Sequence, residues 1–221
     1  MRKAAALSLA FLFAWPVAAL ADPAGDYAAL ITAAQEGDPG TDYTAMRQAY
    51  AMLAEYDPYG SKTNALIRDG EAAYVAKDCK TALEKFKEAI ALSFTLSDAH
   101  ALSADCLEQA GDKAGEAREE AIAQGLFDSV IISGDGESPD TAFHVVTQHE
   151  EGVILAIAGL HGTGQALLST DHGPVDKINV ADTKTGQKGT LFFNVSALMI
   201  GNASKGAESG TAPSESEKAK P

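Results

Sequence analysis

The residues best suited to chemistry are the five histidines, His100, His144, His149, His161 and His172, four of them in the C-terminal half. Glu150 follows His149, while Asp171 and Asp176 flank His172. Imidazole nitrogen and carboxylate oxygen are the ligands that hold zinc, so His149, His172 and Asp176 are candidate metal ligands. The same side chains suit general-base work if a second group orients the ring. Against a metal, the chain has no HExxH and no CxxC pair. His144 and His149 are five residues apart, on an expected strand and its end. Successive strand side chains point to opposite faces, so these two share an ion only if the chain bends between them. The competing reading stays open: such histidines also serve as surface or hydrogen-bonding residues.

Nucleophilic chemistry has less support. There is no GxSxG, and neither Cys79 nor Cys106 lies in a nucleophile motif. Ser133-Gly134-Asp135-Gly136 has the look of an anion or calcium loop but lacks the ligand series and closing Glu of an EF-hand. Its glycines, like those of Gly162-Thr163-Gly164, more simply permit tight turns. No cofactor is expected.

The elements that must position these residues fall into two parts. Asp22 to Thr41 is a weakly patterned lead-in. Thr41 then opens a helix carrying Met46 and Tyr50 that stops at Asp57-Pro58-Tyr59-Gly60. Apolar residues at helical spacing predict four helices over 62–76, 78–92, 97–110 and 112–125. Segments 70–90 and 104–124 compare at a 34-residue offset that aligns Gly70 with Ala104 and Asp78 with Asp112. The first unit, with Gly70, Ala82, Phe86 and Ala89, resembles a tetratricopeptide repeat. The second is degenerate, with Glu116 and Glu120 in place of Ala and an aromatic. Two units fall short of the roughly three that a solenoid needs, so they should pack on neighbouring structure.

Composition shifts near Leu126. A strand is expected over 141–147, a short helix over 150–160, and a strand pair over 177–181 and 190–195 around the loop 182–189. The fold class is therefore α+β: N-terminal helical hairpins over 22–126, then a small antiparallel-sheet unit with one helix over 127–201. A tail over 202–221 rich in Ser, Ala, Gly, Glu and Lys reads as disordered.

Cys79 opens the second helix of the first hairpin and Cys106 lies towards the end of the next. Antiparallel packing brings both to one end of the bundle, so a disulfide is expected; the alternative is two small buried apolar residues.

Met1-Arg2-Lys3, the apolar run from Ala4 to Leu20, and Ala19-Leu20-Ala21 form a signal-peptide pattern with cleavage expected after Ala21. A periplasmic or secreted protein follows from it, with no membrane attachment after cleavage. The formal net charge of −14 repels nucleic acid and anionic lipid, which excludes both as partners.

Several segments together resemble a known bacterial family. They are Asp42-Tyr43-Thr44-Ala45-Met46-Arg47, Tyr56-Asp57-Pro58-Tyr59-Gly60, Ser133-Gly134-Asp135-Gly136, Thr141-Ala142-Phe143-His144-Val145 and Leu191-Phe192-Phe193-Asn194-Val195. Over roughly 41–196 the chain is similar to the domain-of-unknown-function family 4919. It departs at Glu150-Glu151-Gly152, where the family pattern carries an aromatic after the acid. The resemblance implies an exported bacterial protein with helices first and a mixed end, and it implies no activity. The leading expectation is a non-enzymatic module for a protein or peptide partner; the runner-up is a hydrolase, metal-dependent or His-based, centred on the C-terminal histidines. A groove lined by Tyr, Asn and Lys would favour the first, and convergence of His149, His172 and Asp176 the second.

Overall fold

The computed structural model describes residues 22–199. The expected leader, 1–21, and the expected tail, 202–221, lie outside the described residues.

Helix α1 (Pro23–Glu36) occupies the expected lead-in. Pro23 sits in the first turn, where its missing N–H costs nothing. Gly37, at φ +76°, ends the helix, and the N–H groups of Gly37 and Asp38 return to the carbonyls of Ala34 and Ala33, as in a Schellman motif. The helix is rich in alanine, so its apolar stripe is too shallow to stand out by periodicity.

Helix α2 (Tyr43–Ala51) is capped by Asp42, whose carboxylate accepts from Ala45 N at 2.9 Å. Thr41, the cap expected from sequence, instead donates its hydroxyl to Asp38 O. Helices α3 (Asn64–Val75), α4 (Cys79–Leu92), α5 (Ser97–Ala110) and α6 (Lys113–Ile131) follow. Asp78 and Asp112, aligned at the 34-residue offset, cap α4 and α6. Their side chains accept from Thr81 N and Gly115 N.

Glycine is required at position 70: a Cβ there would lie 2.6 Å from Phe86 Cε1. The fully buried Phe86 ring thus lies directly against the α3 backbone. Cys79 and Cys106 form a disulfide with Cα atoms 5.2 Å apart. It ties the start of α4 to the end of α5 within the same cluster as Phe86.

Helix α6 continues past the composition shift at Leu126. Ile122 and Leu126 pack with Met46 and Phe94, while Val130 packs with the sheet residues Ile178, Val180 and Phe193. One helix thereby serves both the helical core and the sheet core.

The sheet is mixed, with order β1-β4-β3-β2. Strands β2 (Leu160–Thr170), β3 (Gly173–Asp182) and β4 (Lys188–Asn194) are antiparallel, but β1 (Phe143–His144) runs parallel to β4. This corrects the expectation of a purely antiparallel sheet. The strand expected over 141–147 shrinks to two residues, because Thr147 turns away to cap α7 (Gln148–Ile157) by accepting from Glu150 N. Strand β2 escaped sequence reading altogether. It is an edge strand, exposed along most of its length, so no alternation of apolar and polar residues marks it.

Candidate binding groove

A groove of about 910 Å³ opens between α3, α5, α6 and α7. Helical spacing explains its walls. Asp98, Ala101, Asp105 and Glu108 recur on one face of α5, and Glu116, Glu120, Ala123 and Phe127 on one face of α6. The two helices are antiparallel around the turn at Gly111-Asp112. The end of the groove near that turn is therefore acidic, with Asp105, Glu108, Glu116 and Glu120. The other end meets Phe127 and the apolar residues Val153, Ala156 and Ile157 of α7. Tyr59 and Asn64 line the groove as well, but no Lys or Arg does.

Glu116 and Glu120 are the residues that make the second helical unit degenerate. Their counterparts Ala82 and Phe86 are fully buried in the first hairpin. In the second unit the equivalent face is the groove wall, where carboxylates stay hydrated.

His149, in the first turn of α7, enters the groove and donates from Nε2 to Asp98 Oδ1 at 2.7 Å. Burial alone would lower the imidazole pKa. The hydrogen bond and charge of Asp98, with Glu150 and Glu71 behind, outweigh it and raise the value. Glu71 on α3 completes the cluster, its carboxyl pushed up by partial burial and by the charge of Asp98. Among the described residues no serine hydroxyl bonds to His149, and both cysteines are tied in the disulfide. The contact between nucleophile and base that covalent catalysis uses is not formed at this ring.

The three metal candidates do not converge. His172 stands at the β2–β3 turn with its side chain two-thirds exposed, 3.8 Å from Asp140. Asp176, on β3, accepts from Gln165 of β2. Neither lines the groove that holds His149. Among the described residues no three His, Cys, Asp or Glu side chains gather as a metal site. The physical reason is topological: His149 starts a helix, whereas His172 and Asp176 belong to a hairpin extending from the sheet. His100 is a buried hydrogen-bonding residue, with Nδ1 on Glu119 at 2.6 Å and Nε2 on Phe94 O at 3.0 Å.

A family model described as Domain of unknown function (DUF4919) matches residues 22–203. The chain belongs to this family. No curated protein and no solved structure matches it.

The segments that carry the likeness to DUF4919 meet at one junction behind the groove. Arg47 of α2 donates from Nε and Nη2 to Glu150 of α7, from Nη1 to Ser129 O, and from Nη2 to His144 O at 2.7 Å. Tyr56 donates its hydroxyl to Val146 O. Pro58 O accepts from Gln148 N at 2.9 Å, and Asp57 accepts from Lys62 N. Ser133 Oγ accepts from His144 N, and Gly136, at φ +68°, offers its carbonyl to Phe192 N. These motifs lock α2, α6, α7 and the sheet together, and α7 is the wall that brings His149 to the groove.

Sequence reasoning missed Arg47 as an ion-pair partner, and missed Glu71, Asp98 and Asp105 as groove residues. The acidic spacing 98, 105, 108 on one helical face was the available signal. It reads equally well as a solvated surface until α7 is known to bring His149 to Asp98.

Residue Glu151, at the departure from the family pattern, is 4% exposed, and its Oε1 has no hydrogen-bond partner among the described residues. Burial, then the charges of Asp176 and Glu150, raise its pKa to about 8.

Proposed function

We propose that this chain is an exported, non-enzymatic interaction module that holds a protein or peptide segment in the groove between its helices and α7. The observation that carries this reading is the groove itself: an open cleft with apolar side chains on three helices, built on paired antiparallel helices. Such clefts suit a segment laid along them. The tetratricopeptide-like reading of residues 62–125 belongs to the same proposal, supported by the close packing of Gly70 on Phe86.

Export rests on the leader pattern ending at Ala21. It is supported by the disulfide, a linkage that persists in oxidising compartments. Intact-mass measurement of protein from the periplasmic or secreted fraction should give a chain beginning at Asp22. A product retaining Met1 in the membrane fraction overturns export.

Selection of a displayed random-peptide library on the full chain tests the binding role. Peptides should enrich on the native protein and not on Ala101→Trp, which places an indole in the mouth of the groove. Enrichment that is absent, or equal on both proteins, overturns the reading.

A further inference from the structure

Resting on that reading of the groove, we infer that its occupant is a cationic amphipathic peptide segment. Its Lys or Arg side chains lie at the acidic end, and its apolar side chains lie against Phe127, Val153 and Ala156.

The carboxylates are the first observation. Glu108 and Glu116 share one cation, Lys113, at 3.4 and 2.8 Å. Among the described residues, Glu71, Asp98, Asp105 and Glu120 have no Lys or Arg partner. Asp98 is met by His149, and Asp105 by the hydroxyl of Tyr74 at 2.9 Å. These groups line one cleft whose walls carry no Lys or Arg. An incoming ammonium or guanidinium relieves their mutual repulsion, and the cleft walls focus the field on it.

The apolar end is the second observation, independent of charge. Val153 is buried, while Ile157 of α7 is 62% exposed at the rim. Phe127 lines the groove with them. A simple polycation has nothing to place here, whereas an amphipathic segment covers both ends at once. From Asp98 to Glu108 the α5 wall runs roughly 15 Å at 1.5 Å per residue, which matches about three turns of a docked helix. Net charge of the whole chain, −14, steers a cationic partner towards the cleft and repels an acidic one.

The test uses the full chain and four synthetic peptides, with binding read by fluorescence anisotropy. One is an amphipathic helix with leucines on one face and lysines on the other. The second and third keep the leucines but replace lysine with glutamine or glutamate. The fourth keeps the lysines but replaces leucine with glycine. The lysine–leucine peptide should bind at least about tenfold tighter than the other three, and weaken as salt rises from low to about 0.15 M. The exposed charge reversals Asp105→Lys and Glu120→Lys should each weaken it several-fold, with a cooperative urea transition retained in both variants. Binding of the glutamine or glutamate peptide as tight as the lysine one keeps the groove reading and overturns the cationic one. Equal binding of the lysine–glycine peptide overturns the amphipathic requirement. If no peptide binds, both readings fall. If the reversals leave affinity unchanged, the lysines dock outside the groove and the inference falls.

Discussion

Arg47 on α2 and Glu150 on α7 form a two-pronged buried ion pair, Nε to Oε1 at 2.8 Å and Nη2 to Oε2 at 2.9 Å. Both side chains are nearly inaccessible, and the remaining guanidinium donors reach Ser129 O and His144 O. Glu150 also accepts from Val146 N. The pair is saturated with hydrogen bonds, which is the condition for a buried charge to be tolerated. It joins residues 103 apart in sequence and fixes α7 against the helical part.

Breaking one side of this pair should be costly. Arg47→Met leaves Glu150 as an uncompensated buried charge, and the expected loss is about 3–5 kcal/mol in urea melts. The double variant Arg47→Met/Glu150→Leu should recover part of that loss. A single-variant cost below about 1 kcal/mol would mean the charge is hydrated in solution.

Glu151 gives a pH prediction. Its folded pKa is raised from the usual 4.5 to about 8 by burial and by Asp176 and Glu150. A raised pKa means the folded state holds the proton more tightly than the unfolded state. Its favourable contribution is present below about 4.5 and is lost as pH climbs through about 8. His149, raised as well, contributes with the same sign, so the difference between wild type and Glu151→Gln isolates Glu151. Thermal melts should show the wild type losing stability across that window while the variant stays flatter. Parallel profiles would rule the effect out.

The contact of Gly70 with Phe86 predicts opposite failures. Phe86→Ala removes a fully buried ring and should cost about 3–5 kcal/mol. Gly70→Ala forces a methyl into the ring edge and should cost about 1–3 kcal/mol. In the combined variant the added methyl partly fills the cavity, so the two costs should fall short of additivity in urea melts. Strict additivity would show that the two positions are not in contact.

Removing the disulfide should act mainly on the unfolded chain. The bridge spans a sequence separation of 27 residues, which corresponds to about 3–4 kcal/mol in the chain-entropy account. Cys79→Ser/Cys106→Ser should lower the unfolding free energy measured in urea melts by that order, and thiol titration of unreduced, denatured native protein should find no free thiol. Two titratable thiols would overturn the bridge.

What the sequence determined by itself is local. Helices α3 to α6 were legible because Ala82, Phe86 and Ala89 repeat at helical spacing and Asp78 and Asp112 cap the next helix. The β3–β4 hairpin was legible from its turn chemistry, and the family from five short motifs in order. What only the tertiary structure decided is where distant side chains meet. Helix α1 and strand β2 are poor in periodic signal, since one is alanine-rich and the other an exposed edge. Whether His149 stands with His172 and Asp176 or with Asp98 and Glu71 depends on where α7 docks relative to α3 and α5. That docking is set by Arg47, Ser129 and Glu150, which lie tens of residues apart. Hydrophobic period reports which face of an element is buried, but it carries no record of which other element covers that face. The groove, the ion pair and the buried carboxyl of Glu151 all arise from that second choice.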